Sequence, residues 1–244
     1  MSNRLLPLVV VLALALAAPA SAEHKVQLTD LIKDLQQQGQ QADDLSLVLW
    51  MPVEFWQASF AANDVPISSK QVEEFISVLR PYLMVAALDG KLGPLGAPTF
   101  VSEQALRTQI KVVDSNGRSY LPLADDKIAA DVKNLVQIMR PIFINLMGPM
   151  GENIRFFMFP ARDADGKEIA NATSQGSFDI LIGDRRFHWR LPLGSVLARK
   201  VCPEDGEALS GAWSFCPWHG TKLKTQEAPP PAAAKPPKPD PSGR

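Results

Sequence analysis

Apolar positions along this chain recur with two periods, one helical and one alternating, and the switches between them mark out the predicted elements. In the stretch 28–38 the apolar residues Leu28, Leu31, Ile32 and Leu35 fall on one helical face, with Gly39 as the predicted stop. The segment 46–51 reads as a buried strand, and Pro52 then fits the first turn of a short helix carrying Phe55, Trp56 and Phe60. Ser68, followed three residues later by Gln71, is a capping-box start, and the stripe Val72, Phe75, Ile76 and Leu79 runs from it to Pro81. The apolar run 82–88 closes on Asp89-Gly90. Segments 109–114 and 118–123 flank Asn116-Gly117, a dipeptide that readily adopts the positive φ angles of a tight hairpin turn.

The second half follows a similar order. Ile128, Val132, Leu135, Met139, Phe143 and Leu146 keep helical spacing across Pro141, which predicts one helix kinked there or two helices meeting there, ending at Gly148-Pro149. Segment 154–159 is the next strand. Phe178, Ile180 and Ile182, then Phe187, Trp189 and Leu191, occupy alternate positions on either side of Gly183-Asp184, the pattern of a second hairpin. Short shared sequences such as Arg80-Pro81 and Arg140-Pro141 make 68–123 and 126–193 a candidate internal duplication. Helices and strands mixed in this order predict an α+β fold, antiparallel sheets packed with helices, with a small hairpin appended at the C-terminal end.

The chain ends change the picture of where this fold works. Arg4, the apolar run 5–18 and Ala20-Ser21-Ala22 have the layout of a secretory leader, residues 1–22, removed on export to the periplasm or the medium. The run is shorter than the ~20 residues a spanning helix needs, and no other segment is apolar for long enough to cross a membrane. Residues 225–244 are dominated by proline and are expected to stay extended and disordered. Between these ends lie a body, 23–199, and an appendage, 200–224. A formal net charge of −1, with no cluster of Lys and Arg, argues against a nucleic-acid or anionic-lipid surface.

The chain has two cysteines, and they open two matching stretches, Cys202-Pro203-Glu204-Asp205-Gly206 and Cys216-Pro217-Trp218-His219-Gly220. Segment 201–223 resembles a zinc ribbon, in which each such turn presents two ligands three residues apart. That resemblance implies Cys202, Asp205, Cys216 and His219 as ligands around zinc, with Asp205 a departure from the usual sulfur. The competing reading is a Cys202–Cys216 disulfide between the same two sulfurs, which an oxidising compartment favours, and closing a loop of about 15 residues is worth roughly 3 kcal/mol. Disulfide, bound zinc and free thiols all remain open readings. Trp213, Phe215 and Trp218 crowd the same appendage, which is too small to enclose all three; they either form an exposed apolar patch that docks a partner or, the expected outcome, pack on the body. As a whole the chain resembles uncharacterised exported bacterial proteins that end in such a knuckle, which implies its location and architecture and no activity.

Motifs for catalysis are missing from the sequence: it contains no Gly-x-Ser-x-Gly elbow, no His-Glu-x-x-His, no phosphate-cradling glycine loop and no dinucleotide fingerprint. Asp163-Ala164-Asp165-Gly166 opens like a calcium loop, but Ser174 stands where the twelfth-position glutamate belongs, so a polar turn is expected. The remaining candidates for proton transfer are His188, Glu54 and Glu152. The function expected from these readings is an exported, non-enzymatic binding or assembly module for a protein or small-molecule ligand, with no cofactor or with zinc at the knuckle. The alternatives are a small exported hydrolase using an Asp/Glu pair, and a metal-handling protein whose working part is the knuckle.

Overall fold

The structure is a computed structural model that describes residues 26–63 and 67–225. The expected leader and nearly all of the proline-rich tail lie outside the described residues. Helix α1 (Leu28–Leu35) buries Leu31 and Leu35 and passes straight into strand β1 (Gln36–Gln38), where Gln36 is already extended at φ −98°, ψ 136°. The helix therefore stops four residues before Gly39, not at it. The glutamines after Leu35 have no apolar face to bury as a helix, and they pair instead with β2 (Leu47–Met51), Gln37 opposite Val48.

Helix α2 (Val53–Ala61) begins after Pro52, and α3 (Ser69–Leu79) carries the full capping box: Ser68 Oγ accepts from the Gln71 N–H, and Gln71 Oε1 accepts from the Ser68 N–H at 3.1 Å. Phe75 of α3 meets Phe60 and Trp56 of α2 at ring distances of 5.0 and 5.4 Å. Strand β3 (Tyr82–Leu88) follows, then a small hairpin of β4 (Gly90–Leu92) and β5 (Pro98–Phe100). Helix α4 (Glu103–Gln109), capped by Ser102 Oγ on the Ala105 N–H, runs directly into β6 (Ile110–Val113), which pairs with β7 (Ser119–Tyr120). The Asn116-Gly117 hairpin is thus shorter than predicted, because Gln109 belongs to the helix and Asp114 to the turn. Asp114 organises that turn: Oδ1 accepts the N–H groups of Asn116 and Arg118, and Oδ2 accepts the Tyr120 hydroxyl.

Helix α5 (Ala130–Met147) runs unbroken through Pro141 and ends at Gly148, whose φ of 55° turns the chain into α6 (Pro149–Glu152). Those two helices touch so closely that a Cβ on Gly151 would stand 2.0 Å from the Phe143 carbonyl oxygen. Strand β8 (Arg155–Pro160) comes next, and β9 (Gly176–Ile182) and β10 (Arg185–Leu191) form the long hairpin expected around Gly183.

These strands make two antiparallel four-stranded sheets, in the orders β1-β2-β3-β8 and β10-β9-β6-β7. The fold is α+β. The strands that the two matched sequence segments would equate, β3 with β8 and β6 with β9, are antiparallel neighbours. Strand β2 is buried at all five positions, as a strand covered on both faces must be, whereas β10 alternates buried Phe187 and Trp189 with exposed Arg186, His188 and Arg190. Phe178 of β9 ties the sheets together, meeting Trp50 of β2 edge-on at 4.8 Å and stacking on Trp189 at 5.2 Å. On the other side of the first sheet, Phe143 of α5 meets Phe156 of β8 at 5.5 Å.

The sheet edges are joined by polar clasps. The Gln37 amide bonds both the N–H and the C=O of His188, and the Trp189 indole donates to the Asp34 carbonyl at 3.0 Å. At the opposite end of β10, Arg185 reaches Asp44 at 3.1 Å, Asp89 at 2.5 Å and the Ser46 hydroxyl.

The appendage is a separate three-stranded sheet in the order β12-β11-β13, made by β11 (Lys200–Val201), β12 (Ala208–Leu209) and β13 (Lys224–Thr225). Thr225 belongs to this sheet, so the ordered ribbon runs one residue past its predicted boundary. Cys202, Leu209, Cys216 and Leu223 form its own small core. Among the described residues no helix is long and apolar enough to cross a membrane.

Three carboxylates in these clasps and turns make the fold acid-sensitive. For Asp44, Asp114 and Asp179, burial alone would raise the pKa, but hydrogen bonds and nearby guanidinium groups outweigh it and hold each below the ordinary carboxylate value. A depressed folded-state pKa adds stability that is complete above the unfolded value and is lost as pH falls through the folded one. The urea midpoint is therefore expected to drop steeply below about pH 4. Asp179→Asn should flatten part of that drop, and an unchanged slope in the variant would remove Asp179 from the account.

Candidate functional site

The two cysteine stretches fold as two copies of one turn. In the first, the Cys202 N–H donates to the Glu207 carbonyl at 3.0 Å and the Gly206 N–H to the Cys202 carbonyl at 2.9 Å. In the second, Cys216 donates to Thr221 at 2.8 Å and Gly220 to Cys216 at 2.9 Å. Both turns need a left-handed fifth residue, supplied by Gly206 at φ 77° and Gly220 at φ 67°. The repeated Cys-Pro-x-x-Gly spelling thus has a mechanical cause: proline sets the entry to the turn, glycine allows its exit, and the cysteine sulfur is left on the inner side.

Pairing the two hairpins through the β11 sheet brings three ligand atoms together. Cys202 Sγ, Cys216 Sγ and a ring nitrogen of His219 all lie within 4.8 Å of one another. His219 Nδ1 stands 3.4 Å from the Cys202 sulfur and 3.5 Å from the Cys216 sulfur. Around a tetrahedral zinc with bonds of about 2.3 Å to sulfur and 2.0 Å to nitrogen, an S···N pair is separated by about 3.5 Å, so both S···N distances suit that ion, as the donor types do. Asp205 stands beside the trio, its Oδ2 3.7 Å from His219 Nδ1. Both cysteines are free thiols and buried, whereas the His219 and Asp205 side chains are 39% and 41% exposed. The sulfurs therefore face the ribbon core, and the imidazole and carboxylate close the outer side.

The electrostatics around Cys202 favour its thiolate. Burial pushes the Cys202 thiol up, but the N–H groups of Glu204 and Asp205 and the Thr221 hydroxyl, 3.7 Å from the sulfur, bring it below its ordinary value overall. His219 is raised, first by its contact with the Cys202 sulfur and with Asp205 contributing, against the opposing effect of burial. Asp205 is lowered, chiefly by the Glu207 N–H that it accepts at 3.0 Å. Thr221 falls within the ribbon-like segment, but nothing in that pattern marks it as a partner of Cys202. Its role comes from the meeting of the two turns, which sets its hydroxyl beside the Cys202 sulfur.

The other predicted site residues are scattered. Glu54 sits in the first turn of α2, where burial, and less so the charge of Glu168, hold its carboxyl above the usual range. Glu152 is exposed at the end of α6. His188 lies on the outer face of β10 with Nδ1 2.6 Å from Asp179 Oδ1, while the other Asp179 oxygen takes Arg186 at 2.5 Å. That partner was readable from the hairpin: a turn at Gly183-Asp184 sets His188 opposite Asp179. Three surface clefts, of about 330, 560 and 330 Å³, lie at the α1–ribbon junction, along the glutamine-rich edge by β1, and between α2 and α3. None of the three is lined by Glu54, Glu152 or His188.

Two further expectations meet different outcomes. Asp163 does organise a polar turn, with Oδ1 accepting from Asp165 and Lys167 and Oδ2 facing Arg118. The ribbon aromatics, however, do not pack away on the body: Trp213, Phe215 and Trp218 are 47%, 60% and 74% exposed. The reason is local. Cys216 is turned into the ribbon core, so its neighbour Phe215, bridged to Lys222, is left exposed, and Trp218 lies in the second turn.

Compared with the known protein families, with curated proteins and with solved structures, the chain matches none.

Proposed function

We propose that this protein is an exported metal-binding module, an α+β body carrying a C-terminal ribbon that holds one zinc ion. Cys202, Cys216 and His219 are its ligands, and Asp205 is the fourth donor on the solvent side. The observation that carries this reading is the position of His219 Nδ1, nearly equidistant from the two sulfurs at 3.4 and 3.5 Å. A cross-link alone gives an imidazole no reason to stand between the sulfurs, whereas a shared ion does.

The chemistry favours zinc among the common divalent ions. Two thiolates and an imidazole are soft and borderline donors, which suit zinc and are poor partners for calcium or magnesium. The Glu204 and Asp205 N–H groups and the Thr221 hydroxyl stabilise the deprotonated Cys202 that binding requires. His219 and Asp205, which cover the outer side, are themselves 39% and 41% exposed, so these two ligands can exchange with solvent, and the ribbon suits a metal-handling role better than a sealed structural core would. Glu54, Glu152 and His188 belong to different elements and share none of the three clefts, which is why a carboxylate-pair hydrolase is not proposed.

Cobalt(II) titration of the reduced chain tests this directly. One ion per chain should bind, with strong visible d–d absorption of a tetrahedral site, a near-ultraviolet thiolate-to-cobalt band, and loss of both on adding zinc. A chain with both thiols reduced and no thiolate-to-cobalt band would sink the proposal.

A further inference from the structure

The ribbon's ligand set has an unusual count: it holds just the two thiolates that one disulfide consumes. In a four-cysteine site, pairing two sulfurs leaves two behind to keep the ion. Here it leaves only His219 and Asp205, both more than a third exposed. The two sulfurs lie within 4.8 Å of each other, on separate turns joined through the shared β11 strand, and both cysteines are nearly fully buried, at 0% and 2% exposure. Closing to the ~2.05 Å of a disulfide bond asks for a shift of less than about 3 Å shared between two side chains. Burial admits only a small oxidant.

We infer that the ribbon is an oxidant-sensitive metal clasp, in which hydrogen peroxide joins Cys202 to Cys216 and the ion is released; this rests on the zinc reading above. One cysteine thiolate attacks the peroxide O–O bond, forming a sulfenic acid and releasing hydroxide. The second thiolate attacks that sulfur, the S–S bond forms, and a second hydroxide leaves. Two electrons pass from the sulfur pair to the peroxide, and the balance closes with no further reactant. The ion, left with one imidazole and one carboxylate, departs. The fold stays intact because the new bond ties together the same two turns that the ion had joined. Disulfide and zinc thus become two states of one ribbon.

The test uses the reduced, zinc-loaded full chain, treated with hydrogen peroxide and followed by intact-mass spectrometry alongside a chromogenic zinc chelator. The expected result is loss of two hydrogens and release of one zinc per chain with the same time course, both reversed by reductant and added zinc. In His219→Ala the disulfide should still form, since the imidazole takes no part in the sulfur chemistry. Oxygen addition to sulfur without the two-hydrogen loss, or a disulfide form that keeps its zinc, would overturn the inference while leaving the zinc site standing. A reduced chain that takes up no zinc would instead overturn the zinc reading, and the coupling with it.

Discussion

Under reducing conditions, Cys216→Ser is expected to weaken zinc binding by roughly 100-fold, as a competing chelator would report. Structural zinc sites bind with about 12 kcal/mol, so the loss of one ligand in four removes roughly 3 kcal/mol, which is about two powers of ten. Serine keeps the size of the side chain and the turn, so the effect is that of the thiolate. Asp205 provides the matching gain. Asp205→Cys restores the ligand that the ribbon pattern ordinarily carries and should tighten binding by about tenfold or more, because a thiolate suits zinc better than a carboxylate. Asp205→Ala with unchanged affinity would show that Asp205 is a bystander and that the ion has three protein ligands.

A comparably large effect, on stability, is expected at Arg185. Arg185→Met leaves the Asp44 and Asp89 carboxylates, with side chains 7% and 6% exposed, facing each other without their cation. Stranding buried charge in this way costs about 3 kcal/mol or more, visible as a lower urea midpoint. Arg80→Met removes an ion pair whose partners are 58% and 61% exposed, and should cost less than about 1 kcal/mol. Adding Asp44→Asn and Asp89→Asn to Arg185→Met should recover part of the loss. Equal midpoints for the two arginine variants would mean that the clasp between β10 and the β2–β3 edge carries no special weight.

Both effects differ in how far the sequence announced them. The ribbon could be read in advance because its signal is local: five-residue turns with proline and glycine at set places leave little choice of backbone. The same holds for the Ser68–Gln71 capping box and the Gly183-Asp184 hairpin, where residues three to fifteen apart meet each other. Periodicity alone extends helix α1 too far, because it does not see that a glutamine run can pair as an edge strand. Helix α4 and the β4–β5 hairpin carry short, mixed patterns that resemble loops until neighbouring strands give them something to pack on.

The Arg185 clasp could not be found along the chain. Asp89-Gly90 has the spelling of an exposed turn, and Asp44 that of a loop, and only the meeting of two sheets buries both against a residue some 140 positions away in the case of Asp44. Nor could the exposure of Phe215 and Trp218 be foreseen, since it depends on which side of the ribbon the small core occupies. Backbone stereochemistry and side-chain period act over a few residues, and for this chain they settle the turns, most of the strands and the identity of the candidate ligands. Distances between sulfur and imidazole, and between guanidinium and buried carboxylate, arise when segments far apart in the chain pack together, because burial and charge pairing depend on every neighbour at once.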